Sequence, residues 1–398
     1  MAFWAAVASC PLGSTLAILG WIYTLPVYLP VYLPVYPPVY PYEYDVTDMP
    51  IFTPEYLHRV AYQIYRAKGT PEHEAEIVAT HQVKANLVGH DSHGVILIPE
   101  YAARIDRGHI VPGAPFVVER EAPCTAVING NWGFGFVVTE RAMTMAIAKA
   151  KTHGVAAITV HYQSHIGRLG DYPAMAAREG MIGLITADSG AGPKAVVPFG
   201  GRARRLGTNP ICIGMPSDLE GPVLLDMATS AVAQGKISLA RNRKEQVPPG
   251  WIIDKDGNPT TNPDDYFAGG AILPVGADQG HKGYGLSFMV EVFSGLLTGL
   301  GFGIDPQARH NDGVFIGVFN VEHFRPLAQF KKELSEFIDF VKTSPPAAGF
   351  SEVLYPGEIE FRTEQRRRRE GIFVEDETWG QIRSLIGVLG VKDTVGEP

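Results

Sequence analysis

The sequence predicts an α/β fold with a helical N-terminal region, and three observations carry that reading. Two apolar, β-branched runs, Val155 to Val160 and Met181 to Ala187, flank a short helical pattern, and strand–helix–strand with brief connections marks α/β architecture. Ahead of them lie two closely spaced helix starts of one type, Thr53-Pro54-Glu55 and Thr70-Pro71-Glu72. No strand opens onto G-x-G-x-x-G and no G-x-x-x-x-G-K-[ST] occurs; Gly133 and Gly135 share the first spacing, but a third glycine is missing. A standard Rossmann site is therefore unsupported.

In each helix start a threonine hydroxyl stands before a proline suited to the first turn, and an acid follows near the positive dipole end. Leu57, Val60, Ala61, Ile64 and Tyr65 share one face of the first helix. Ile77, Val78, His81 and Ala85 recur at similar spacing in the second, which runs from Pro71 to about Val88. A further helix passes through Tyr101 to Gly108. From Thr139 an Ala-, Met- and Ile-rich helix reaches His153, where Gly154 can close it. The helix between the two strands spans Asp171 to Glu179 and stops at Gly180. Val223 to Leu225 is strand-like, and Pro248 to Pro274 is loop-rich. A long apolar helix follows from about Gly283 to Leu300, then a strand from Phe315 to Val321 and an amphipathic helix from Phe324 to Val341.

A chain of 398 residues that is 45% hydrophobic can bury a large core and is long enough for two domains. The formal charge of -8 gives no broad basic footprint, which argues against nucleic acid as a partner. The short basic runs at Arg202 to Arg205 and Arg366 to Arg369 each have a plain reading as a solvated helix or loop face, which is preferred for the second. Cys10, Cys124 and Cys212 are too scattered for a disulfide framework or a zinc knuckle, so a reducing, cytoplasmic compartment fits. Residues 1–48 are of another kind. Met1 to Leu25 is apolar without Lys or Arg, the first of which is Arg59, and Leu-Pro-Val-Tyr then repeats from Leu25 to Tyr36. Neither a positive signal-peptide start nor charged membrane flanks are present. This stretch reads as a non-catalytic extension; a hydrophobic anchor or unusual targeting segment is the alternative.

Two polar clusters suit chemistry. His90-Asp91-Ser92-His93-Gly94 places a hydroxyl beside an imidazole, able to bind a carboxylate and exchange protons with a substrate oxygen. A capped helix end with a hydrogen-bonded histidine explains the same residues. A metal reading would use His81, His90 and His93, but their intervals match no strong zinc pattern, and no metal is expected. Gln163-Ser164-His165-Ile166-Gly167-Arg168 leaves the end of a strand, the usual place for ligand groups in open α/β sheets, and His165 suits proton transfer near neutrality. Asp188-Ser189-Gly190-Ala191-Gly192-Pro193-Lys194, Gly207-Thr208-Asn209-Pro210 and Asp226-Met227-Ala228-Thr229-Ser230 could offer amides and hydroxyls to an anion, or serve only as turns and caps. Lys282, in His281-Lys282-Gly283, opens the long apolar helix where charge and dipole both favour an anion. Tyr355-Pro356-Gly357-Glu358 is a tight turn.

With these blocks in order, the sequence resembles the malate/L-lactate dehydrogenase family of non-Rossmann, NAD(P)-dependent 2-hydroxyacid oxidoreductases. That family also holds ureidoglycolate and sulfolactate dehydrogenases, diketogulonate reductase and cyclic imino-acid reductases. The match runs from about Thr53 to about Gly390. It includes Asp91 to Val95 with Pro99 and Tyr101, Ser164 to Gly167, Gly207 to Pro210, Asp226 to Ser230, Gly235-Lys236, Pro249-Gly250-Trp251, His281 to Gly285 and Pro356-Gly357-Glu358.

The resemblance implies the family's non-Rossmann α/β fold, NAD or NADP as cofactor, a small 2-hydroxy or 2-oxo acid as substrate, and a homodimer with its active site between subunits. It makes Ser92, His93 and Tyr101 substrate-side residues and His165 the preferred proton donor and acceptor, with His93 as the other candidate. It makes Ser189, Thr208, Asn209, Asp226, Met227, Ala228, Ser230, Lys282, Gly283, Gly357 and Glu358 cofactor contacts. The chain then divides into the extension 1–48, a helical region 49–125 with the Ser-His pair, an NAD(P)-binding α/β domain 126–310, and a completing C-terminal part 311–398. Some relatives carry an arginine where this chain has Leu97, so the substrate carboxylate must meet another cation, such as Arg168 or a partner-subunit arginine. Arg202, Arg204 and Arg205 could meet a 2′-phosphate. The alternatives are reduction of a cyclic C=N bond on the same fold, or a non-catalytic, membrane-tethered homologue, with membrane contact only through the extension.

Overall fold

The structure, a computed structural model, describes residues 50–396 apart from 191, 306–308 and 310. The expectations for residues 1–48 lie outside the described residues. Strand β1 (Ile51–Phe52) leads into α1 (Pro54–Ala67), whose Thr53 hydroxyl accepts the Tyr56 amide at 3.2 Å, as its cap signal predicts. The second signal behaves differently. Helix α2 (Glu72–Leu87) has Pro71 at its cap and no side-chain cap bond, and the Thr70 hydroxyl is buried without a hydrogen-bond partner among the described residues. Packing of the α1–α2 connection, where Thr70 is fully buried, decides its fate over local capping.

Short 3-10 turns at Asp91–His93 and Val95–Leu97 then lead to α3 (Ile98–Asp106). The apolar face of α1 predicted by periodicity is buried: Leu57, Val60, Ala61, Ile64 and Tyr65 join a cluster with Ile98, Tyr101, Phe134 and Trp379. Full burial of each large apolar side chain there contributes about 1.5–3 kcal/mol.

The central layer is built from β2 (Val117–Glu121), β3 (Thr125–Gly133), α4 (Gly135–His153), β4 (Val155–Gln163), α5 (Asp171–Arg178), β5 (Met181–Asp188), β6 (Ile211–Met215) and β7 (Val223–Met227). Asp226 therefore lies within a strand and not in the loop beyond it. Helix α6 (Gln234–Arg243) follows. The loop-rich stretch holds β8 (Ile252–Ile253), β9 (Pro259–Thr260), α7 (Pro263–Phe267) and β10 (Ala271–Ile272), whose strands form a small three-stranded sheet.

The long apolar helix is shorter than the sequence suggests. Helix α8 spans Gly280–Glu291, and the chain then widens into a π-helical turn, Val292–Leu296. The rest comprises β11 (Gly313–Asn320), α9 (Leu327–Lys342), α10 (Glu358–Glu370), β12 (Ile372–Phe373), α11 (Asp376–Leu389) and α12 (Lys392–Val395).

The seven-stranded sheet has the order β2-β3-β4-β11-β5-β6-β7, and only β3 and β4 pair in parallel. Register decides where function can sit. Val314 faces Val160 and Ala187, Gly313 faces Asp188, and Ile211 faces both Thr186 and Met227. The ends of β3, β4, β5 and β7 and the beginnings of β6 and β11 therefore share one edge of the sheet.

Candidate active site

The loops leaving that edge bring the sequence-predicted histidines together. His165 follows β4, and the His93 ring stacks near its own, with centroids 5.6 Å apart and planes inclined by 23°. Ser92 Oγ lies 3.0 Å from His93 Nδ1. His165 Nδ1 is 2.5 Å from the Tyr101 hydroxyl, so a phenol from α3 partners this ring. Close backbone approach seats the loop: a Cβ on Gly135 would stand 2.2 Å from the Ser164 carbonyl oxygen. Gly167 has φ +70°, and a side chain there would strike Phe136.

Electrostatics keep the His93 ring neutral. Burial, with like charge from His90 and Arg168 and against the pull of Asp312, brings His93 down to about 4. Burial also holds the Tyr101 phenol neutral, well above its ordinary range. Asp312 is a residue that sequence reasoning missed. Its carboxylate accepts the Ile166 amide at 3.0 Å and the Ser189 hydroxyl at 3.1 Å, joining the histidine loop to the glycine-rich loop. Gln163 Nε2 donates to the Asp312 carbonyl at 3.2 Å and fixes that junction. An acid before a strand, in Asn311-Asp312-Gly313, carries no motif that would single it out.

The candidate cofactor segments divide into two groups. Ser189, Thr208, Asn209, Met227, Ala228 and Ser230 lie at the functional edge. The Thr229 amide donates to the Thr208 carbonyl at 2.9 Å, and the Val275 amide donates to the Thr229 carbonyl at 2.9 Å, carrying the chain toward α8. The first turn of α8 has no side-chain cap and includes exposed Lys282, while Gly283 packs against the Val275 carbonyl. The uncapped first turn of α8 and exposed Lys282 fit an anionic dinucleotide, while the Ser189, Thr229 and Ser230 hydroxyls already donate within the protein.

Gly357 and Glu358 are not brought to this edge. The Leu224 amide donates to the Pro356 carbonyl at 3.0 Å, which places their turn at the start of β7, about 10 Å of strand from Met227. Glu358 is held by Lys342 at 2.7 Å and Arg362 at 2.6 Å. Asp226 accepts the Gly170 amide at 2.9 Å and pairs with Arg168 at 3.2 Å.

Two sequence expectations need correction. Arg168 is buried with its guanidinium committed to Asp171 and Asp226, so it is not a spare cation for a substrate. Arg204 is likewise committed, to the Gly270 and Tyr266 carbonyls, and is not a spare 2′-phosphate ligand. His81 pairs with Glu140 and Asp171, and His90 faces Glu360. Among the described residues no three His, Cys, Asp or Glu side chains converge as a metal site, and no helix is long and apolar enough to cross a membrane.

Residues 52–383 match the family described as malate/L-lactate dehydrogenase. This chain belongs to that family. As a member it is an oxidoreductase of hydroxy acids. A malate dehydrogenase of Pyrococcus abyssi is 39% identical over 81% of this chain and 91% of its own. An L-sulfolactate dehydrogenase of Methanothermobacter thermautotrophicus is 37% identical over 87% and 99%. A ureidoglycolate dehydrogenase (NAD(+)) of Escherichia coli is 33% identical over 83% and 94%.

Solved structures bear out the family's α/β fold. Sulfolactate dehydrogenase from Methanocaldococcus jannaschii superposes with TM-score 0.78 at 36% identity, covering 86% of this chain and 98% of that one. Delta1-piperideine-2-carboxylate reductase from Pseudomonas syringae gives 0.74 at 28% identity, covering 84% and 99%.

Proposed function

We propose that this family member transfers hydride between NAD or NADP and a small 2-hydroxy or 2-oxo acid, with His165 carrying the proton. The observation that carries the reading is the juxtaposition of His165, His93, Ser92 and Tyr101 at the edge that also presents the Ser189 loop. Ser189, Thr208, Asn209, Ala228, Ser230, Lys282 and Gly283 would hold the dinucleotide, framed by Asp226 and Met227. Gly357 and Glu358 would meet its far end. When bound, the nicotinamide supplies or accepts the hydride at the substrate's C2.

The protein's own groups do the rest. Tyr101 partners Nδ1 of His165 and orients the ring, which would give a proton to the nascent alkoxide or take one from the alcohol. His93 stays neutral near pH 7, so it and Ser92 orient the substrate and polarise its oxygen without competing for the proton. For the carboxylate, the exposed first turn of α6 stands beside Ser92. It lacks a side-chain cap, and the Cβ position of Gly235 is 3.7 Å from Ser92 Cβ. Apolar side chains left exposed along α8 and its π-helical turn support a homodimer that completes the site. Two described cysteines without a disulfide, Cys124 and Cys212, accord with a reducing, cytoplasmic compartment.

The test is His165→Ala, assayed with malate, lactate, sulfolactate and ureidoglycolate against both cofactors. Turnover should fall by roughly 10²–10⁴ while dinucleotide affinity stays near that of the wild type. Wild-type turnover in the variant would remove the proton assignment. The fold likeness to a piperideine-carboxylate reductase keeps a cyclic imino acid in the panel, and preferential reduction of that substrate would replace the hydroxy acid.

A further inference from the structure

Lys194 ends the glycine-rich loop where a lysine could reach a bound anion, yet its ammonium turns inward. Nζ lies 3.0 Å from Glu291 Oε1 and 3.3 Å from Asp188 Oδ1, and donates to the Ser189 carbonyl at 3.0 Å. Asn209 closes the group, its Nδ2 donating to Glu291 Oε2 and to the Ser287 carbonyl, both at 3.0 Å. All four side chains are buried. One ammonium thus faces two carboxylates, and full ionisation would leave a buried negative charge uncompensated.

Acceptors also outnumber donors. Asp188 Oδ2 and Asn209 Oδ1 are both buried without a hydrogen-bond partner among the described residues. Flipping the Asn209 amide does not help, because its nitrogen already serves two acceptors. The Cβ position of Gly207 lies 2.6 Å from Asn209 Oδ1 and 3.0 Å from Asp188 Oδ1, so the two side chains share one small space. A proton on the Asp188 carboxyl supplies a missing donor and removes the excess charge. The charged groups facing Asp188 are Lys194 from its loop and Glu291 from α8. The neighbours from β11 and the π-helical turn are Gly313 and Gly295, and Asp312 beyond them is turned to Ile166 and Ser189. Burial, with repulsion from Glu291 and against the pull of Lys194, raises the Asp188 carboxyl to about 7.

We propose that the Lys194–Asp188–Glu291–Asn209 cluster positions the cofactor cleft and holds one shared proton whose loss weakens dinucleotide binding. The cluster ties together the Ser189 loop, the Thr208–Asn209 segment and α8, which carries Lys282. Losing the proton places a negative charge one residue from Ser189, against an anionic ligand. This inference rests on the reading that those segments hold the dinucleotide.

The experiment is the Kd of NADH and of NADPH, by nicotinamide fluorescence between pH 6 and 8.5, for wild type, Asp188→Asn and Glu291→Gln. Wild-type binding of the preferred cofactor should weaken about tenfold across that range. Each substitution leaves one ammonium with one carboxylate, so each variant should bind with little pH dependence. A flat wild-type profile, or variants that follow the wild-type slope, overturns the inference while leaving the dinucleotide reading intact. A wild-type chain that binds neither cofactor at any pH overturns both. If neither variant folds, the wild-type profile alone decides.

Discussion

Tyr101 and His165 show what one hydrogen bond between distant residues can do. They lie 64 positions apart in sequence and meet at 2.5 Å, the phenol kept neutral by burial and partnering Nδ1 of the ring. Tyr101→Phe keeps the ring that fills the core and removes only the oxygen. Turnover should fall on the order of ten- to a hundredfold, with a displaced pH–rate profile, while the melting temperature and cofactor Kd hardly change. Unaltered pH–rate behaviour in this variant would mean that the phenol does not govern the imidazole. The residue types at this site were legible in the sequence, because hydroxyl–imidazole neighbours stand out from their surroundings. Asp312 was not legible. A single acid before an apolar strand gains meaning only when β11 inserts between β4 and β5 and delivers it to both loops.

At the scale of elements, α2, α4 and α5 are joined through His81. Its Nε2 lies 3.1 Å from Glu140 and its Nδ1 3.5 Å from Asp171, between the rings of Phe136 and Tyr172. Burial opposes the charged ring, but the two carboxylates outweigh it and raise His81 to about 9. A folded-state value above the unfolded 6.5 means that this stabilisation is complete below pH 6.5 and is lost as pH rises through about 9. It is worth about 3 kcal/mol at most. His81→Gln should therefore melt well below wild type at pH 6, with the gap narrowing by pH 9.5; a gap that did not change with pH would remove this reading. Local signals found most elements, including the cap of α1 and the strand–helix–strand run from β4 to β5. They missed the early end of α8, where the π-helical turn is set by packing against β11, and the uncapped start of α2. Sheet order was out of reach as well, since β11 pairs with strands more than a hundred residues earlier.

Across the whole molecule, the apolar surface argues for a second subunit. Phe288, Met289, Leu296, Leu297 and Phe302 are all exposed, Leu297 at 56% and Phe302 at 77%, and they follow one another along α8, its π-helical turn and the chain beyond. Monomers rarely leave this many large apolar side chains exposed along one segment. Covering each such side chain contributes about 1.5–3 kcal/mol, enough in sum for stable association once the entropy of docking is met. Helix α8 carries Lys282 in its first turn and Glu291 of the buried cluster at its end, so a partner covering its exposed residues would also steady the proposed cofactor cleft. Sedimentation of the wild type should give twice the chain mass. Met289→Asp combined with Leu297→Asp should give the single-chain mass, with a markedly raised Kd for the dinucleotide and little residual turnover. A wild-type monomer with full activity would show that one chain builds the site alone. A monomeric double variant that kept full activity would show that the dimer forms without serving catalysis.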